Sequence, residues 1–456
     1  MIVNRTELRT YRDKFISSLT TTLHELSDKP VYPTLQHFSH SKALQIAMES
    51  DVPLVPVLPT TPRATRIGDG LHFATPFATR IASIRCSDDE PNWNVSSLDS
   101  MLRLELAEAV IGSQSSMPTI VFPDNLLPFQ VDQTLLNELK INYNGYHWIS
   151  QPKPEASETS EAKYAQWLNG IAAELKDVTG HQPRRVWNYR FSTTALPGVA
   201  SRRKPDLILI KPNDTEHWAN VATVCEVTSE LGFPAWIRNT VMQKAFFTFC
   251  TQPDRCFFPS LAFSKNEFIF NTFDRAGAIG TGALTPNINA LDFLRIIVGF
   301  MFGPDDLIGF DPTMIRSSNG SGAVEKICVK GVDYMVKECI FSSETVRGRA
   351  TRCWRVEKDG KQYVLKDSWC LRSRKAELIV LTKVAGVEGV PRLVDWEDIT
   401  CHGEIDSTAA RRVGLSYAEE RVHRRLVMEP VAKPLGEFES KKELIQAFAD
   451  IIKSMF

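Results

Sequence analysis

Between residues 206 and 273 the chain sets short apolar runs against one longer helical stretch. Residues 206–210, 221–226, 257–263 and 267–273 are apolar and of strand length, and WIRNTVMQKAFFTFC between the second and third has the length of a helix. Upstream, Tyr164, Leu168, Ile171 and Leu175 recur at helical spacing; downstream, LDFLRIIVGFMFG at 291–303 reads as a buried helix. Strands interleaved with helices predict an α/β domain over residues 151–315. From residue 324 the period falls to two. Residues 327–330, 334–338, 353–357 and 362–366 alternate, with turns at Gly331 and at Asp359–Gly360. A helix over 374–385 closed by Gly386, a strand over 424–430 and a last helix complete a second domain over 324–456.

Polar stretches separate these regions. SQPKPEASETSEA at 150–162 has a linker's composition, and RSSNGSGA at 316–323 has that of a flexible connector. Residues 1–150 mix proline-rich segments such as VPLVPVLPTTP with expected helices at 102–111 and 135–141, a mostly helical region without assignable chemistry.

At 456 residues, two or three domains are the natural expectation. A formal net charge of −1 gives no bulk attraction to nucleic acid or an anionic membrane, so neither is an expected partner. The N-terminus carries charges where a signal peptide needs an apolar core, and the 291–303 run is too short to span a bilayer. An intracellular protein, cytoplasmic or nuclear, is expected. Nine cysteines without a C-x-x-C pair suit reduced thiols, and nine histidines without H-x-x-x-H spacing offer no zinc site.

The chemistry concentrates in SSETVRGRATRCWRVEKDGKQYVLKDSW at 342–369. A phosphate-binding site of this type needs backbone amides in close approach, a strand lysine, and a helix carboxylate that fixes the lysine. Gly348 precedes one strand, Lys366 ends the next, and Glu377 shares a helical face with Leu381 and Val384. A glutamate on an apolar face wants a cationic partner, and Lys366 is the candidate. Alternatively, Glu377 serves the helix dipole and Lys366 is solvated.

GRATRCWRV, VLKDSW, the Arg374/Glu377 pair, GVPRLVDW, RLVMEPVAKPLGEF and KKELIQAFADIIKS closely resemble, in this order, the fungal-type protein kinase family. So does FDRAGAIGTGALTP…FLRIIVGFMFG…LIGFDPTMI, and the resemblance spans residues 204–456. It implies a protein-kinase-like small lobe, an antiparallel sheet plus one helix, and the first helix of the large lobe. It also implies ATP and magnesium as cofactors. Gly348 and Thr351 would lie in the nucleotide-covering loop, Lys366 would contact ATP phosphates and pair with Glu377, and the hinge would include Met428, Glu429 and Val431.

The chain departs from that family in three places. Ala350 stands where the family has a second glycine, so it lacks the freedom of positive φ. Lys366 and Glu377 are only eleven positions apart. No His-Arg-Asp loop or Asp-Phe-Gly follows Met428; His423-Arg424-Arg425 only imitates the first and reads as a strand. Without the base, a factor of about 10² to 10⁴ in rate is lost. The expectation is a kinase domain cut short, a pseudokinase that places phosphates without transferring them to a serine or threonine. The last helix supports this expectation. Leu444, Phe448, Ile451, Ile452 and Met455 form an apolar stripe, each worth about 1.5–3 kcal/mol when buried, which the N-terminal region or a protein partner would cover.

Residues 204–230, KPDLILI…VCEVTSE, place Asp206 at one strand's start and Glu226 near the end of the next. This resembles the Pro-Asp…Glu-x-Lys pattern of restriction-endonuclease-like folds, in which the two acids hold magnesium. Thr228 replaces the lysine, and Gln243 is a further polar candidate. A metal-dependent nuclease centred on Asp206 and Glu226, an inactive descendant, and an ordinary α/β domain with two edge charges are all open.

Overall fold

The computed structural model describes residues 95–106, 109–152, 160–199, 201–373, 377–387, 389–415, 419–433 and 437–454. Two seven-stranded sheets organise them. The first takes β1 (Val110–Ile111), β2 (Val186–Asn188), β3 (Leu207–Ile210), β4 (Thr223–Thr228), β5 (Phe257–Ser264), β6 (Glu267–Asp274) and β7 (Gly277–Gly280), in the order β1-β7-β6-β5-β4-β3-β2. β2, β3 and β4 run antiparallel, whereas β5 lies parallel to β4. The β4–β5 crossover is helix α5 (Ala235–Thr251); it follows α1 (Val95–Leu106), α2 (Met117–Val121), α3 (Gln133–Glu138) and α4 (Ser160–Thr179), and α6 (Ala290–Met301) comes after β7.

Alternation along β3 explains why the sheet is covered twice. Leu207 and Leu209 join one core with α4 and α6, and Ile208 and Ile210 join another with α1 and α5. Every residue of β3 is buried, so its run is continuously apolar.

The expected helix over 102–111 is corrected. It ends at Leu106, and Val110–Ile111 becomes β1, parallel to β7. Gly277, at φ +129°, makes this possible, because a Cβ there would lie 2.2 Å from the Ala109 carbonyl oxygen. Residues 95–150, read as a region apart, therefore contribute helices and an edge strand to the α/β layer. The helix expected over 135–141 is observed over 133–138.

The second sheet takes β8 (Met314–Arg316), β9 (Val324–Val329), β10 (Val332–Ser342), β11 (Arg352–Lys358), β12 (Lys361–Leu371), β13 (Arg392–Asp398) and β16 (Arg421–Glu429), in the order β13-β16-β12-β11-β10-β9-β8. From β8 to β16 the neighbours are antiparallel. Left-handed Lys330-Gly331 and Asp359-Gly360 make its tight turns. Helix α7 (Glu377–Lys383) follows β12, and a small hairpin, β14 (Thr400–Cys401) with β15 (Glu404–Ile405), precedes β16. Residues 316–323 are tied down rather than loose. Arg316 pairs with Asp254 at 2.6 Å, and the Gly320 carbonyl accepts from the Asn220 side-chain amide.

A smaller compact unit includes α8 (Lys441–Ser454). Ser440 Oγ accepts from the Glu443 amide, and Glu443 Oε2 accepts from the Glu439 amide, a capping box displaced by one residue. On the predicted stripe Leu444 is half-buried and Phe448 exposed; the side chains of Ile451 and Ile452, and all of Met455, lie outside the described residues, as do residues 52–62. Among the described residues no helix is long and apolar enough to cross a membrane.

Buried charge joins the two sheets. Arg425, on β16, reaches Asp311 and, at 3.0 Å, Asp367 of β12. His423 Nε2 meets Asp367 at 2.9 Å and Nδ1 meets Asp406 at 3.2 Å, with the Trp369 ring stacked 4.7 Å away. Beside them Asp274 of β6 receives Arg411 and Arg412. Four carboxylates face three guanidiniums, so a protonated His423 balances the cluster. Burial alone would lower the His423 pKa, but Asp367 and Asp406 carry it up to about 10. Burial would raise Asp367, but His423 and Arg425 hold it well below the carboxylate range.

This sets a pH dependence. His423 is raised from 6.5, so its stabilisation is complete below pH 6.5 and fades as pH climbs through about 10. Urea midpoints measured across that window should fall steadily, and His423→Gln, less stable overall, should lose that part of the slope.

Candidate functional site

Cross-strand register puts Lys366 beside Cys353 of β11 and Leu426 of β16, on one face of the second sheet. Its neighbours in sequence, Leu365 and Asp367, take the other face, where the core and the ion cluster lie. Glu377 opens α7 and closes on Lys366, with Nζ 2.8 and 2.6 Å from its two carboxylate oxygens. The lysine is 18% exposed and the glutamate 41%. Of the two sequence readings, the paired one is observed. Met428, opposite Val364, is buried; Glu429 pairs with Lys361; Val431 is half-buried.

The β10–β11 loop corrects an expectation. Gly348 does lie between the two strands, but it is buried, and its amide donates to the Arg275 carbonyl at 2.9 Å. That donor is spent on the α/β layer and is not open to a phosphate. Val346 is fully buried in the core beside α5, the Arg347 amide donates to Glu105 at 2.5 Å, and Arg275 caps the Thr345 carbonyl. Ala350 nonetheless adopts φ +43°. A left-handed alanine costs about 1–2 kcal/mol, which burial of its methyl against Cys256 and Trp369 offsets by about 0.8 kcal/mol. Thr351 accepts from the Ser343 amide and closes the loop's base.

A second constellation sits in the α/β layer. Asp206 precedes β3, and its Oδ2 accepts from the Val227 amide at 2.8 Å, which sets it beside Glu226. Lys244 of α5 points at the same carboxylate, Nζ 3.3 Å from Glu226 Oε1, with both side chains almost wholly buried. Glu226 Oε1 makes no hydrogen bond. Burial raises Glu226 to about 7, against the pull of Lys244 and with the repulsion of Asp206. Burial also raises Asp206, and the charge of Glu161 in the first turn of α4 adds to it. Gln243, flagged from sequence, instead donates to Asp99 of α1. Lys244 was missed; its signal was a lone cation inside the apolar VMQKAFFTFC run.

Two further groupings, Cys256 with Asp311 and His423, and Asp306 with Cys401 and His402, bring metal-ligating atoms within 4.8 Å of one another. A cavity of about 350 Å³ lies away from Lys366, and Arg185, Lys211 and Arg316 along its wall already pair with Asp305 and Asp254. His423-Arg424-Arg425 is strand, as expected, with His423 and Arg425 buried in the ion cluster.

Two variants probe these sites without ligand. Because Glu377 is well exposed, Glu377→Gln should change unfolding free energy by less than about 1 kcal/mol in a urea titration. Glu226 is raised, so its favourable contribution holds below pH 4.5 and is lost as pH rises through about 7; Glu226→Gln should flatten stability across that interval.

Nothing among the curated proteins or the solved structures matches the chain. The fungal protein kinase family matches it over residues 204–420 and 416–456. That span takes in β3 of the α/β layer, Lys366 and Glu377 together, and it is more than half of the sequence. The chain belongs to the fungal protein kinase family.

Proposed function

We propose that the second sheet seats a nucleoside triphosphate. The observation that carries this reading is the Lys366–Glu377 pair, a strand ammonium fixed by a helix carboxylate on an open face of the sheet. Lys366 would hold phosphate oxygens and Glu377 would orient it; adenine would meet the backbone from Met428 to Val431, after β16. ATP with magnesium is the usual cofactor of kinases, and the pair fits its phosphates. Gly348, whose amide is already committed, does not. Transfer to a protein serine or threonine needs a base and magnesium ligands of the His-Arg-Asp and Asp-Phe-Gly kind. Residues 428–456 hold neither, so the role proposed for these residues is nucleotide binding. Titration with a fluorescent ATP analogue tests it. Saturable binding, weakened at least about tenfold in Lys366→Met, is the expected result; no saturation, or equal affinity in the variant, overturns it.

A second reading rests on a separate observation. Antiparallel β2–β3–β4, with β5 parallel to β4, brings Asp206 and Glu226 together beside the carboxyl ends of the parallel pair, where α/β sheets commonly bind ligands. This supports a restriction-endonuclease-like layer in which the two carboxylates hold a divalent cation. The buried Glu226 Oε1, which meets only the Lys244 ammonium at 3.3 Å, is the oxygen that would face such an ion. Calorimetric titration with Mn²⁺ tests that reading: binding lost in Glu226→Gln supports it, and no binding by the unaltered chain ends it.

A further inference from the structure

We propose that Asp306, Cys401 and His402 form a zinc-binding site that joins the β14–β15 hairpin to the turn after α6. The site is separate from the Lys366–Glu377 face and from Asp206 and Glu226.

The hairpin supplies two ligands from adjacent positions. Cys401 ends β14 and pairs across the strands with Glu404, which opens β15, so His402-Gly403 is a two-residue turn. Both turn residues are left-handed, at φ +53° and +85°. That is the conformation of a type I′ turn, whose usual residues are asparagine, aspartate and glycine. Here the first is a histidine, which sets an imidazole at the tip beside the Cys401 sulfur. Asp306 comes from the 3₁₀ turn Asp306–Ile308, whose Leu307 and Ile308 are buried in the core with α4 and α6. This anchor is held by packing and comes from a distant segment, so histidine spacing along the sequence does not reveal it.

The Cys401 sulfur, a His402 ring nitrogen and an Asp306 carboxylate oxygen all lie within 4.8 Å of one another. His402 Nε2 and Asp306 Oδ2 are 3.5 Å apart, long for a hydrogen bond. Two such atoms bound to one tetrahedral zinc are about 3.3–3.6 Å apart, so this pair already has the spacing of shared ligands. Asp306 Oδ1 accepts from the Leu307 amide at 2.9 Å. That bond fixes the carboxylate while Oδ2 meets the imidazole, the kind of outer support metal ligands usually have. Sulfur, imidazole and carboxylate together favour zinc over magnesium or calcium, which take oxygen. Burial, then the charges of Asp406, Asp306 and Asp311, push the free Cys401 thiol up to about 12. Zinc would displace that proton to solvent, and the same carboxylates favour its two positive charges.

An ion has a way in. All three residues stand on the wall of one cleft of about 160 Å³, and the Asp306 and His402 side chains are 22% and 35% exposed. Three protein ligands leave a fourth position for water. Glu404, exposed on the same wall, adds a negative charge nearby. The Cys256–Asp311–His423 grouping differs. It is wholly buried, Asp311 holds Arg425, and His423 is gripped by Asp367 and Asp406, so its atoms are already engaged.

Titration of the reduced full chain with Co²⁺, a coloured substitute for Zn²⁺, tests the assignment. A thiolate on cobalt gives a near-ultraviolet charge-transfer band, which an ion held by Asp206 and Glu226 alone does not give. One equivalent of Co²⁺ should bring the band up, and Zn²⁺ should abolish it. Cys401→Ser should lose it. His402→Gln and Asp306→Asn should each weaken Co²⁺ binding at least about tenfold, since losing an outer partner alone costs that much. All three side chains lie at the surface of the hairpin or the turn, so these variants should fold. No band from the unaltered chain overturns the site. So does a band that survives Cys401→Ser, because another thiol then holds the ion. Full affinity in both His402→Gln and Asp306→Asn overturns it too, because the thiol then acts alone.

Discussion

A charge removed from water must be met by an opposite charge or lose its ionisation, and the cluster around Asp367 applies this constraint to the whole architecture. Asp367 on β12 is satisfied by His423 and Arg425 on β16, and Arg425 in turn by Asp311, which precedes β8. Breaking one member would strand the others, so the two strands and the segment ahead of β8 hold one mutual placement. Such a cluster adds little net stability compared with an apolar one; what it gives is a single register between the second sheet and the layer beneath.

That register divides the second sheet by face. Along β12, Leu365, Asp367 and Trp369 look toward the core and the ion cluster, and Lys366 looks the other way. One strand thus fastens the sheet with one set of side chains and presents chemistry with the next. The β10–β11 loop is drawn toward the fastening side, with Val346 in the core near α5 and the Gly348 amide on Arg275. The lysine and glutamate of a nucleotide site are assembled, while the glycine that would cover it is employed elsewhere.

The sequence revealed what short-range patterns encode. Apolar runs located β3 to β6, α5 and α6, and two-residue turns located the hairpins of the second sheet. The two-residue β1 and the short β2 and β7 carry too few positions for a period, and β1 exists because Gly277 admits a close neighbour. Lys366 and Glu377 were legible because strand, lysine, helix and glutamate follow in order. Lys244 was not, because one lysine in an apolar helix shows no partner until the strand beside it is placed. The ion cluster was equally hidden: Arg425 and Asp311 are 114 positions apart, and Arg412 and Asp274 are 138 apart.

The glycine and serine of residues 316–323 suggested a hinge, yet Arg316 is clasped by Asp254 and the Gly320 carbonyl by Asn220. A fragment started just beyond it would keep strands of six to eleven residues and sound turns, but it would bare Val346 and leave Arg425 without Asp311. The two sheets therefore form one inseparable piece, and natural rearrangements that shuffle it would have to carry both together.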